Sequence, residues 1–348
     1  MPLQSLLANY GFSEDSIEQL LTIFYLAGAL DGQIKAEKSI QGIAELAITR
    51  YSVNSLQLAL QTNLYQRFRG QQERLDIPVY HCDNLSSQEA ELLKAFRNLG
   101  VLPTKQEQVM PSDYAFGLVF GATETVMQQR LKAILRQGSF DNLVILTGLR
   151  DLWIDHEDSC REIVIDRIRA NKEEYTREDI AREIDKLIIS HQEKGFTAAQ
   201  IRTKVQKILT ETYTISWPTE VDAAKKVYKN IKDKYKKSNL SATYNNISFI
   251  EAPKKPDGSR PDTLDTVIVF ANTYQDALSS GTQRVLAMSS YPHVCEQEQT
   301  LRILPNNVQA TVLGHNRAST KSTARIESLL AGLAGLFYKI NQVNKILN

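Results

Sequence analysis

Two residues in this chain combine useful chemistry with a telling position: His293 and Glu220. His293 lies three residues past Ser290, just after the apolar run Val285 to Met288 breaks into Ser289 and Ser290. An imidazole beyond a strand end can transfer protons or hydrogen-bond an oxyanion near neutral pH. An isolated histidine fills a structural role equally well, and the sequence leaves both open. Glu220 ends the stretch Trp217-Pro218-Thr219-Glu220, which reads as a helix start with proline in its first turn. A carboxylate there complements the helix dipole, so capping explains it without any ligand. In the chemical reading both are catalytic, His293 as acid or base and Glu220 as the group that holds ligand hydroxyls.

The binding candidates follow apolar runs or open helices. Gly121 and Thr123 come directly after Gly117 to Phe120. Glycine permits a tight strand-to-helix turn there, and threonine can cap the helix that follows. Within that helix Arg130 is either an anion clamp or, as arginines more often are, a surface residue. Gly148 and Arg150 follow Leu143 to Leu146, and His315 and Arg317 follow Ala310 to Leu313. Asn272 and Thr273 come after Thr266 to Phe270, read as a strand, and are expected at the next helix start. Helix N-termini present unpaired N–H groups, so this set suits a negatively charged ligand.

Several standard chemistries are missing from the sequence. Neither GxGxxG nor GxxxxGK[ST] occurs, which argues against a standard dinucleotide or P-loop site. Ser289 and Ser290 lack the GxSxG elbow of α/β-hydrolases. The five histidines (His81, His156, His191, His293, His315) show no HxxxH or HExxH spacing, and no EF-hand pattern is present, so no metal is expected. Cys82, Cys160 and Cys295 are odd in number and far apart, which fits buried thiols in a reducing compartment.

The elements that must position these residues are short, β-branched and aliphatic runs. Gly117 to Phe120, Leu143 to Leu146, Val285 to Met288 and Ala310 to Leu313 read as strands buried on both faces, as in a parallel sheet. Asn246 to Glu251 is a further strand, and Pro253 to Pro261 a polar loop. Strand–helix alternation from Tyr114 onward predicts an α/β, Rossmann-like, mostly parallel sheet flanked by helices. In such sheets ligands bind outside the carboxyl ends of the strands, where the polar residues gather here.

Residues 1–110 read as a helical N-terminal lobe, with helices expected between Ser13 and Phe68 and over Cys82 to Asn98, ending at the boundary from Pro103 to Pro111. The α/β domain then spans 111–348. A charged segment at about 152–212 interrupts it, with capping signals at Thr176-x-x-Asp179 and Thr197-x-x-Gln200. Solvated helices are the plain reading of that insertion, and a lid or partner-binding surface the sharper one. A C-terminal helix from Ser328, rich in leucine, is expected to cover the sheet or meet the N-terminal lobe.

Composition narrows the partners. The 41 basic and 40 acidic side chains nearly cancel in 348 residues, so no global field favours nucleic acid or an anionic membrane. No apolar run approaches the ~20 residues of a membrane helix. Gln4 and the lack of a basic n-region give no sign of a secretory signal, so the cytoplasm is expected, or export by a route the sequence does not display.

Taken in order, the motifs resemble a bacterial domain-of-unknown-function family that includes the SanA and YdcF proteins (domain of unknown function 218). The stretches that carry the resemblance are Leu118 to Leu135, Ile145 to Arg150, Pro218 to Ala224, Asn272 to Ala277 and Val285 to His293. It covers most of 114–320, and leaves out the N-terminal lobe. The resemblance implies a Rossmann-like domain with a polar pocket lined by Gly121, Gly148, Glu220, Asn272, Thr273, Ser290 and His293, and an association with envelope or polysaccharide functions. The family's arginine a few residues after the histidine has no counterpart, since Val294, Cys295, Glu296 and Gln297 follow; Arg150 or Arg317 can take its place. Two function classes follow. One is a small-molecule-binding protein or enzyme for an anionic or nucleoside-like ligand, a sugar phosphate or S-adenosylmethionine. The other is a non-catalytic scaffold whose lobe and insertion bind a protein partner.

Overall fold

The computed structural model describes residues 89–99, 112–155, 157–235, 244–291, 293–315 and 322–347, with Gln19, Leu20 and Ile23. In chain order the elements are α1 (Glu89–Asn98), β1 (Ser112–Phe120), α2 (Glu124–Ile134), β2 (Gly138–Gly148), α3 (Asp158–Asn171), α4 (Arg177–Glu193), α5 (Ala198–Tyr213), α6 (Glu220–Tyr235), β3 (Tyr244–Ala252), α7 (Thr263–Thr273), α8 (Gln275–Ser279), β4 (Gln283–Ser290), α9 (Val294–Leu301), β5 (Val308–His315) and α10 (Ser322–Leu347). The fold is α/β and Rossmann-like, a five-stranded parallel sheet flanked by helices. Contacts divide the chain into two compact units, Ser112–Tyr274 and Met1–Pro111 with Gln275–Asn348.

In the unit Ser112–Tyr274 the strands lie in the order β3-β2-β1. Phe120 stands opposite Leu146 and Gly148 opposite Ala252, so the three strands end together. Phe116 to Phe120 and Leu143 to Leu146 are buried at every position, which requires cover on both faces and explains the unbroken apolar runs. Helix α2 packs on β1 and on α6, α6 reaches β2 and β3, and α7 packs on β2 and β3.

The segment expected as a strand at Thr266 to Phe270 is helix instead, part of α7. Asp262 caps it, accepting from Leu264 N at 2.8 Å and Asp265 N at 3.4 Å, while Asp265 accepts from Asp262 N at 2.7 Å. That reciprocal box starts a helix, and its buried face (Leu264, Val267, Phe270) supplies the apolar content that mimicked a strand.

The insertion is three helices, α3, α4 and α5, around their own core of Val164, Ile168, Ile180, Ile184, Val205 and Leu209. Both expected capping boxes are present: Thr176 with Asp179 opens α4, and Thr197 with Gln200 opens α5. Apart from the buried Glu157, the described charged residues of the segment are half-buried or exposed around that core, as the solvated-helix reading expected.

In the other unit β4 and β5 pair in parallel, from Gln283 opposite Val308 to Ser290 opposite His315. Strand β4 is buried from Val285 to Ser290, whereas β5 is buried only at Val312. The expectation of two-sided burial therefore fails for β5: Ala310 and Thr311 are exposed, small enough to tolerate a strand with little cover. Helix α10 begins at Ser322, earlier than expected, and packs on α9 and on α1 of the N-terminal segment. The N-terminal helices expected from Ser13 to Phe68, apart from helical Gln19, Leu20 and Ile23, lie outside the described residues, as does the Pro103 to Pro111 boundary.

Candidate functional site

At the carboxyl edge of β1 and β2 the chain brings Gly121, Gly148 and Glu220 together. Gly121 donates its N–H to Leu146 O at 2.6 Å, extending the β1–β2 ladder by one bond before the turn into α2. A Cβ at Gly121 would lie 2.7 Å from Leu146 O and 3.0 Å from Glu220 Oε1, so the turn needs glycine for close approach. Gly148 donates its N–H to Glu220 Oε2 at 3.1 Å. A Cβ there would meet Pro261 Cγ at 2.8 Å, because the loop before α7 lies against the end of β2.

Glu220 is 2 % exposed, and its second carboxyl oxygen, Oε1, has no hydrogen-bond partner. Burial pushes this carboxyl up from the usual carboxylate range. Arg260 and Arg150 pull it back, the Gly148 N–H does so less, and Glu157 adds to the rise. A buried carboxyl with one idle oxygen is an acceptor for a ligand hydroxyl when ionised and a donor when protonated. The sequence places Pro218 in the first turn of a helix and Glu220 as a capping residue against its dipole. In the structure α6 begins at Glu220, two residues after Pro218, and the side chain points into the protein.

Arg150 supplies the adjacent positive charge, although not as an open anion clamp. Its guanidinium meets Glu157 in a two-bond pair, Nη2 to Oε1 at 2.7 Å and Nη1 to Oε2 at 2.9 Å, with both residues buried. Glu157 also accepts from Trp153 N at 2.8 Å. Glu220 N donates to Arg150 O at 3.0 Å, and an antiparallel bridge joins Asp151 to Thr219. The chain entering the insertion is thus zipped to the chain leaving it, right beside Glu220.

Besides Arg260, the sequence reading missed three contributors to this edge. Glu157 shows no signal, since nothing in a seven-residue spacing from Arg150 points to a buried pair. Glu251 accepts from Thr219 Oγ1 at 2.7 Å, a contact between distant segments. Lys255 binds Asp262 at 3.0 Å and Asp265 at 3.3 Å, which fastens the polar loop to the start of α7. Asp262-x-x-Asp265 is legible as a capping box, and that signal alone would have recovered α7.

Other candidates sit differently from expectation. Thr123 occupies the N-cap of α2, but its side chain makes no capping bond. Arg130 is buried and not a surface residue. It donates to Phe120 O at 2.8 Å and Gly121 O at 3.0 Å, strapping down the end of β1. Asn272 and Thr273 are exposed at the C-terminal end of α7, and Thr273 Oγ1 donates to Val269 O at 2.7 Å. Asn272 stands ten residues past the Asp262 cap, and Thr273 one further, about 15 Å along a helix that rises 1.5 Å per residue. Helix α8 starts at Gln275, after Tyr274, so Asn272 and Thr273 close α7 and do not cap the helix that follows. Arg317 lies outside the described residues.

In the other unit Ser290, His293 and His315 gather at the carboxyl ends of β4 and β5. Ser290 stands opposite His315 in the pairing register, and His293 donates its N–H to Ser290 O at 2.8 Å. His293 is the N-cap of α9, with its Nδ1 3.1 Å from Glu296 Oε2. A carboxylate on Nδ1 fixes the ring and its tautomer, as in base–orienter pairs. The residue three places after the histidine is thus a carboxylate that faces it. Ser289 is fully buried. Burial pushes the neighbouring Cys295 thiol up to about 12, which keeps it an unreactive thiol at neutral pH.

Among the described residues no group of three or more His, Cys, Asp or Glu is placed to hold a metal ion, and no helix is long and apolar enough to cross a membrane. No protein-family model, curated protein or solved structure matches this chain.

Proposed function

We propose that the unit Ser112–Tyr274 binds a small anionic or nucleoside-like ligand at the carboxyl edge of its sheet, and that Glu220 is the group that reads the ligand's hydroxyls. The observation that carries this reading is the unpartnered Oε1 of Glu220, on a side chain 2 % exposed. Buried polar atoms are nearly always paired, and an exception calls for a reason. Glycines on both sides of the carboxyl, at the ends of β1 and β2, keep backbone rather than side chains beside it. Helix α2 starts next to Gly121 without a side-chain cap, so its first N–H groups suit a phosphate or carboxylate. A sugar phosphate or S-adenosylmethionine has the required mixture of hydroxyls and charge. The motif order that resembles the SanA- and YdcF-like family supports the same edge.

The test combines native mass spectrometry of the purified chain with calorimetry against S-adenosylmethionine, adenosine monophosphate and ribose phosphate. Glu220→Gln should weaken whichever ligand binds by roughly ten- to a hundredfold, the usual worth of a hydrogen bond to a charged group. Failure of all probes to bind, with no copurifying molecule, favours the scaffold reading. The insertion's separate core supports that alternative, since it presents an independent helical surface to a protein partner.

A further inference from the structure

We propose that Arg150 couples the helical insertion to the Glu220 carboxyl, so that filling the site at Glu220 and docking α3 through Glu157 are one equilibrium. The inference deepens the ligand-site reading and rests on it. Arg150 acts as a positioning residue between two carboxylates that compete for its charge. Its guanidinium is held in two bonds by Glu157, the N-cap residue of α3. Its backbone carbonyl accepts the Glu220 N–H. Against the burial that raises the Glu220 carboxyl, Arg260 and then Arg150 favour its ionised form, while Glu157 opposes it.

The insertion is built to feel a change at this point. Trp153, whose N–H donates to Glu157, lies under the Arg202 guanidinium of α5 at 3.8 Å from its ring centroid. Arg202 also pairs with Asp155 at 2.9 Å, and Gln206 donates to Asp151 at 3.2 Å. The stretch between β2 and α3 is therefore gripped by the insertion's last helix as well as its first. A ligand hydroxyl on Glu220 changes what Arg150 must neutralise. Arg150 in turn sets how firmly Glu157 holds α3, and the coupling is reciprocal by linkage.

Hydrogen exchange of the α3 amides in the full chain, with no ligand added, reads this coupling. The variants are Glu220→Gln, Glu157→Gln and the double variant, each made with Arg150 present and with Arg150→Met. Either single change takes one of these two carboxylates from Arg150, and the double takes both. The double should then open α3 at least about fivefold more than the product of the singles, the lower end of typical coupling. With Arg150→Met that excess should shrink to the small remainder, of the same sign, that repulsion between the two carboxylates leaves by itself. Should Glu157→Gln fail to fold, Glu157→Asp weakens the same pair by one methylene and enters the same cycle. Effects that multiply in both backgrounds, or α3 exchange indifferent to Glu220→Gln, overturn the proposal. Since no ligand is present, that failure leaves the ligand-site reading intact, and a failed ligand screen leaves the cycle intact.

Discussion

Gly148 and Glu220 are 72 residues apart in sequence and joined by one hydrogen bond, from the Gly148 N–H to Oε2 at 3.1 Å. That bond anchors half of the carboxyl to the end of β2 and leaves Oε1 idle beside Gly121.

The burial of Glu220 sets a pH dependence. Its folded carboxyl titrates above the unfolded one, so the folded state holds the proton more tightly. The stabilising contribution is complete below the unfolded value, near 4.3 for a free glutamate, and is lost as pH rises through the folded value. The melting temperature of the wild type minus that of Glu220→Gln should therefore fall as pH rises above about 4.3. A flat difference across pH 4 to 9 would show that the carboxyl titrates normally.

Gly121→Ala should destabilise the chain by about 1–3 kcal/mol, the cost of overpacking a tight contact. Its Cβ would lie 2.7 Å from the backbone oxygen of Leu146, an atom that cannot swing aside. Gly148→Ala meets a proline ring on a loop instead, and should cost less. Urea melts of the two variants rank them, and the reverse order would contradict the geometry.

The Arg150–Glu157 pair has side chains 9 % and 8 % exposed. Glu157→Gln takes the two-bond partner away from a buried guanidinium, so it should cost about 3–5 kcal/mol. Replacing both with methionine should recover much of that loss. Chemical denaturation of the single and double variants checks the contrast.

Thr176→Ala and Thr197→Ala each remove one capping box from the insertion. Each should cost about 1 kcal/mol, felt first in α4 or α5 respectively. Faster amide exchange confined to the first turns of those helices is the expected signature.

For His293, the Glu296 carboxylate at 3.1 Å accepts from Nδ1–H and selects that tautomer of the neutral ring. Nitrogen-15 spectra of the imidazole should show the proton on Nδ1, with the preference lost in Glu296→Ala. A neutral ring protonated on Nε2 in the wild type would rule out an orienting role for Glu296.

The sequence by itself determined the elements whose signals are local. Buried runs such as Leu143 to Leu146 are apolar without interruption because both faces are covered, and that unbroken run is itself the mark of a parallel sheet. The boxes at Thr176 and Thr197 were equally plain, since a cap is a contact three residues long. Thr266 to Phe270 misled for the same reason: a threonine and four apolar residues carry no period that separates strand from helix, and the decisive box lay just outside the run, at Asp262. Glycine at 121 and 148 and glutamate at 220 could be marked as candidates from their place after strands and at a helix start. Only the tertiary structure decided that they meet, that Arg130 turns inward to the Phe120 and Gly121 carbonyls, and that Asn272 ends a helix far from its cap. Burial and pairing between residues tens of positions apart depend on how the strands stack and where the crossovers return. A buried charge such as Arg150 becomes tolerable only once the fold has brought Glu157 to it.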